Sequence, residues 1–115
     1  MSSKLVEVAQ RSMDTGDKMQ FSYTGRIEGK YGYLVLTKKK LMFLREEGFL
    51  SKTYSVVFNL TYDKVRSYSS KQRFILEILD ITGGSKVFVS EVAASIIEDA
   101  MKSLIPDRKV DVPAS

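Results

Sequence analysis

Residues 32–44 read GYLVLTKKKLMFL: an apolar run from Tyr33 to Thr37, three adjacent lysines, and a second apolar run from Leu41 to Leu44. Two strand-length apolar runs joined by a short polar link predict a β-hairpin with Lys38, Lys39 and Lys40 at a protruding tip. Upstream, Met19, Phe21 and Tyr23 alternate with Gln20, Ser22 and Thr24, the period of a strand with one face buried. The stretch Gly29-Lys30-Tyr31-Gly32 is expected to turn the chain between that strand and the next.

Downstream, Glu46-Glu47-Gly48 breaks the pattern, and Tyr54, Val56, Phe58 and Leu60 then alternate with Ser55, Val57, Asn59 and Thr61 as a fourth strand. A polar corner from Thr61 to Lys64 carries Asp63. It leads into a short strand from Val65 to Ser69 and a basic turn at Lys71 and Arg73. Phe74 to Ile81 is strongly β-prone, and Thr82-Gly83-Gly84-Ser85 supplies a tight turn into Lys86 to Val89. These links have hairpin length and no helix separates the strands, so the expected fold class is mainly β: seven antiparallel strands in a bent sheet or barrel. A parallel dinucleotide-binding sheet is excluded on the same ground.

Helices are expected only at the two ends. Leu5, Val8, Ala9 and Met13 fall at helical spacing between Ser2 and Thr15, which gives a short amphipathic N-terminal helix over residues 1–16. At the other end Ser90 is placed as the cap of a helix whose apolar stripe is Val92, Ala93, Ile96, Ile97, Ala100, Met101 and Leu104, stopped by Pro106. That helix is expected to cover the open end of the sheet. Residues 17–105 then form one domain, and residues 106–115 a loose polar tail.

Composition narrows the chemistry. The chain has 115 residues, 43% hydrophobic and 28% charged, which suits one self-folding domain. It contains no cysteine and no histidine. A thiolate nucleophile, a cysteine-based metal site and an imidazole base are thereby excluded, and no cofactor is expected. Of the carboxylates, Glu46 and Glu47 border a glycine turn and Asp80 precedes a hairpin, ordinary solvated positions, so no catalytic residue is assigned. Gly83-Gly84 lacks the lysine and helix of a phosphate-cradling loop. The N-terminus lacks the order of a signal peptide, and a cytoplasmic location is the expectation.

The segments GYLVLTKKKLMFL, Gly32 to Leu44, and FNLTYDKVRSY, Phe58 to Tyr68, resemble corresponding strands of pleckstrin-homology-like domains, of the GRAM type or the prokaryotic type. The element order, seven strands and then one helix, is similar to theirs, and the resemblance covers roughly Met19 to Leu104. It implies a non-enzymatic binding or adaptor module that contacts anionic lipid headgroups, peptides or partner domains, with a homo-oligomer as an open alternative. In one respect the chain departs from phosphoinositide-binding members: the first hairpin offers only Arg26 and Lys30, with Glu28 between them. In another it lacks their helical tryptophan, having none at all.

The net charge of +4 and pI near 9.3 permit polyanionic partners without selecting one. Lys38, Lys39 and Lys40 are the sharpest candidate contact, with Arg26, Lys30, Lys71 and Arg73 as additions to an anion-binding face, which would place the chain peripherally at an inner membrane surface. Tyrosines interleaved with basic residues also fit stacking on single-stranded nucleic acid, a reading ranked below lipid or protein contact because no ribonucleoprotein-type aromatic signature accompanies them.

Overall fold

The computed structural model describes residues 3–105. In chain order it contains α1 (Ser3–Arg11), β1 (Met19–Ile27), β2 (Lys30–Thr37), β3 (Lys40–Glu47) and β4 (Thr53–Thr61). A single 3-10 turn at Tyr62–Lys64 leads to β5 (Val65–Gln72), β6 (Ile75–Asp80), β7 (Ser85–Ser90) and α2 (Ala94–Leu104). All seven strands join one antiparallel sheet in the order β4-β3-β2-β1-β7-β6-β5. The expected fold class is observed in its open form. The sheet does not close into a barrel, and β4 and β5 remain edges.

β1 is the joint between two halves. It pairs with β2 along its whole length but with β7 only through Gly25, Arg26 and Ile27. So short a junction lets the halves fold toward each other, and one core fills the space between them. Leu34, Leu36, Leu41 and Phe43 come from the first half, Val65, Tyr68, Leu76, Ile78 and Phe88 from the second, and Ala94, Ile97, Ala100 and Met101 from α2. Gly32, expected in a turn, lies inside β2 opposite Gly25. A Cβ there would stand 2.2 Å from the Leu44 carbonyl oxygen. Glycine is required because neighbouring backbone comes so close. The turn itself is the two-residue Glu28-Gly29, both at positive φ (52° and 76°), the geometry that suits the twist of a hairpin.

A second core lies on the opposite face of the first half. Leu5 and Ala9 of α1 pack on Val35, Met42 and Leu44, with Val8, Met13, Tyr33, Tyr54 and Val56 around them. The first helix therefore docks on its own domain. Because both faces of β2 and β3 are covered, their central residues are continuously buried instead of alternating. In β4 a register shift pairs Leu44 with Val56 but Phe43 with Phe58, leaving Val57 as the extra residue. Tyr54 and Val56 consequently face α1 whereas Phe58 and Leu60 face the main core, which corrects the expectation of one uninterrupted alternation.

The last helix begins later than its sequence suggests. Ser90 ends β7, and its Oγ accepts the Val92 N–H at 3.0 Å, capping a turn instead of the helix. Val92 and Ile96, expected in the apolar stripe, are exposed, and the buried stripe is Ala94, Ile97, Ala100 and Met101. The expected tail, 106–115, lies outside the described residues.

Candidate functional site

The basic residues singled out by sequence fall in three separate places. Lys38 and Lys39 form the β2–β3 turn, Arg26 and Lys30 flank the β1–β2 turn, and Lys71 and Arg73 stand at the β5–β6 turn. Antiparallel pairing puts the first two turns at opposite ends of β2. At about 3.3 Å per residue the eight steps from Lys30 to Lys38 span roughly 26 Å. They cannot serve one small headgroup together.

The backbone of the lysine turn is clamped by hydrogen bonds. The Lys38 N–H donates to the Lys18 carbonyl at 2.9 Å and the Lys39 N–H to Asp17 Oδ1 at 3.2 Å. Thr37 Oγ1 donates to Asp17 Oδ2 at 2.7 Å and accepts the Lys40 N–H at 3.0 Å. Tyr62 donates its hydroxyl to the Thr37 carbonyl at 2.5 Å, and burial, aided by the charge of Asp17, pushes that phenol well above its ordinary range. Lys40 is 6% exposed, and its Nζ donates to the Ser12 carbonyl at 2.6 Å. It ties the end of α1 to the sheet and offers no charge to a ligand. Lys38 and Lys39 alone remain exposed.

At the other turns the cations are partly engaged. The Arg26 guanidinium stacks 5.3 Å above the Tyr31 ring and Arg73 lies 5.3 Å from that of Phe74. Lys71 pairs with Glu77 at 3.6 Å. An open cavity of about 580 Å³ beside α1 is lined by Gln10, Met13, Asp14, Asp17 and Lys18. A smaller one of about 390 Å³ lies between the β1–β2 turn and β7.

The feature the sequence reading missed lies at the β1–β2 end. Gly32 pairs with Arg45, so the β3–β4 loop, residues 48–52, emerges beside the β1–β2 turn, about 10 Å away by strand spacing. Phe49 and Leu50 at its tip are 92% and 94% exposed. The loop is nevertheless shaped. Gly48 takes φ +99° and its carbonyl accepts Lys52 Nζ at 3.2 Å. Lys4 Nζ, from α1, donates to Ser51 Oγ at 3.1 Å and to the Lys52 carbonyl at 3.5 Å. The acids beside it are occupied by local partners: Glu46 accepts the Tyr54 hydroxyl at 3.1 Å, and Glu47 accepts Ser55 Oγ at 3.2 Å and lies 3.9 Å from Arg45. Behind the loop Tyr31, Tyr33 and Tyr54 form an edge-to-face ladder with centroids 6.1 and 6.0 Å apart. The available signal was the pair Phe49-Leu50 itself, two large apolar residues inside a break that has no alternation to absorb them.

No protein-family model matches the chain, and no curated protein matches its sequence. Among solved structures it is similar to the crystal structure of the C-terminal domain of an unknown protein from Leishmania infantum. The TM-score is 0.66 at 18% identity, covering 89% of this chain and 98% of that one. At that identity the likeness shows a shared fold.

Proposed function

We propose that this chain is a non-enzymatic binding module, pleckstrin-homology-like in architecture, that attaches to a partner surface through the sheet end carrying Phe49 and Leu50. The observation that carries this reading is the pair's exposure of 92% and 94% at a loop tip. Scattered exposed apolar residues are common, but two adjacent large ones on a hydrogen-bonded loop keep a fixed apolar surface in water. Transferring each into an apolar environment is worth about 1.5–3 kcal/mol. The element order supports the family reading, and a neighbour of the same fold that is one domain of a longer protein supports the reading as a module. Among the described residues no helix is long and apolar enough to cross a membrane. Contact with a protein or with an anionic membrane at the cytoplasmic face both fit this module, and the proposed surface lies at the end of the sheet opposite Lys38 and Lys39.

A photo-cross-linking side chain placed at Leu50 or at Lys38, in cells expressing the chain, tests the assignment of surface. Adducts with protein or lipid should form from position 50, be competed by excess unmodified chain, and not be competed by the Phe49→Asp, Leu50→Asp variant. Equal labelling from position 38, or no competition, would move the contact surface elsewhere.

A further inference from the structure

We infer that α1 is a regulatory brace for the Phe49–Leu50 tip, with Lys4 as its positioning residue: docking of the helix orders the β3–β4 loop, so binding at the tip and docking of α1 favour each other. This rests on the binding-module reading above for what the tip does, and adds how that surface is controlled.

Two kinds of restraint act on the loop. One kind is internal. Gly48 takes φ +99°, and a Cβ on it would stand 2.1 Å from the Ser51 carbonyl oxygen, so the loop closes tightly on itself. Lys52 Nζ donates to the Gly48 carbonyl at 3.2 Å across the same turn. Contacts of this kind join residues within the loop and would move with it. The other kind comes from 47 residues upstream: Lys4 Nζ donates to Ser51 Oγ at 3.1 Å and to the Lys52 carbonyl at 3.5 Å. Both acceptors follow directly on Phe49 and Leu50, and Lys4 ties them to the body of the domain.

The place of Lys4 is set by the docking of α1. Leu5, the next residue, and Ala9, one turn on, are fully buried against Val35, Met42 and Leu44. Beyond the far end of the helix Lys40 Nζ donates to the Ser12 carbonyl at 2.6 Å. Tyr54 makes a second link: it packs on the apolar cluster under α1 and donates its hydroxyl at 3.1 Å to Glu46, two residues before Gly48. The helix has nine residues. Isolated helices shorter than about 12 residues are marginal in water, so away from the sheet this segment unwinds. It therefore has two states, docked helix and released coil, and Lys4 is held at the loop in the first alone. Hydrogen bonds to exposed neutral oxygens are individually modest, which sets the coupling at about fivefold. Linkage makes it reciprocal: whatever holds the tip in its bound shape holds α1, and whatever draws α1 away loosens the tip.

The test uses the full chain. Lys4→Met keeps the apolar stem and removes the donor, whereas Leu5→Ala keeps the donor and weakens docking. Backbone nitrogen relaxation reads both without any partner. In Lys4→Met the order parameters of residues 49–52 should fall from the rigid level of about 0.85 toward 0.6, with the unfolding midpoint and the Gly83-Gly84 turn unchanged. Lys4→Arg should restore them. Leu5→Ala should loosen the same residues, and the double variant should be no looser than the looser single one, because both substitutions act on one link. As a competitor for photo-adducts at position 50, Lys4→Met should be weaker by about fivefold and Lys4→Arg close to the natural chain. Unchanged loop order in both single variants, additive loosening in the double one, or undiminished competition by Lys4→Met overturns the coupling. The module reading stands in that case as long as position 50 forms adducts. Absence of adducts removes the module reading, and the relaxation measurements still decide the coupling.

Discussion

Gly25 and Gly32 face each other across β1 and β2, and the ring edges of Phe88 and Phe43 occupy the volume their side chains would need. A Cβ on Gly25 would lie 2.5 Å from the Phe88 ring and 2.4 Å from the Val89 carbonyl oxygen. The two rings meet edge to face at 6.0 Å, so the glycine pair sits where the two halves of the sheet converge.

Alanine at either glycine forces backbone apart, because carbonyl oxygens and not flexible side-chain ends block the new methyl group. Gly32→Ala should cost about 3 kcal/mol, read as a lowered denaturant midpoint with an unchanged slope. Gly29→Ala meets no neighbouring atom and loses only the ease of its positive φ, so it should cost distinctly less.

One carboxylate of α2 is hydrogen-bonded to edge strand β5, beside the packing of Val65 and Tyr68 on the same helix. Glu98 Oε2 accepts the Ser70 N–H at 2.8 Å, and its other oxygen lies 3.6 Å from Lys102 Nζ. Glu98→Ala leaves that amide without its charged acceptor and should destabilise the domain by about 1–3 kcal/mol. Amide exchange at Ser70 should quicken well beyond the global change.

Neighbouring lysines should respond very differently to charge reversal. Lys38→Glu and Lys39→Glu, in water, should each change stability by no more than about 0.5 kcal/mol. Lys40→Glu would put a carboxylate against the Ser12 carbonyl in a buried position and should lower the thermal midpoint by well over 5 °C. A triple reversal would therefore unfold the domain in part and mimic loss of binding.

The hydroxyls of Tyr23, Tyr33, Tyr62 and Tyr68 are all raised above the ordinary 10.0, with burial the first cause in each. The unfolded chain releases these protons first, so their contribution is complete below about pH 10 and is lost as pH rises through the folded values. Denaturant midpoints should hold from neutrality to about pH 9 and then fall. Tyr68→Phe is the informative variant. That side chain is fully buried and its hydroxyl has no hydrogen-bond partner among the described residues. The variant should match or exceed the natural chain at pH 7 and lose less stability in alkali.

Period-two runs and glycine turns made all seven strands legible, because those signals are local. What escaped depends on residues distant in the chain. A glycine pressed by the backbone of a neighbouring strand reads like a turn glycine, as Gly32 does. Lys40 reads like its two neighbours, yet the turn holds only two residues and the partner of Lys40, Ser12, precedes it by 28 residues in the chain. The bulge at Val57 follows from pairing with β3, and local periodicity gives no sign of it. For the candidate site, the sequence puts Arg26 and Lys30 in the first hairpin and Lys38 and Lys39 in the next turn, but the observed pairing of β2 with β3 was needed to bring the loop of Phe49 and Leu50 beside the first of these. Phe49 and Leu50 were visible as residues and gained meaning only with their exposure.

The small second core beneath α1 has a practical side for anyone dissecting the chain. A fragment beginning at residue 17 would keep every strand yet lay bare Val35, Met42 and Leu44, a greasy strip next to the unpaired backbone of β4. Such a fragment would clump with its own kind, and its stickiness toward vesicles or proteins would be an artefact of the missing cover. The first helix thus acts as a dust jacket that keeps stray apolar contact off the sheet.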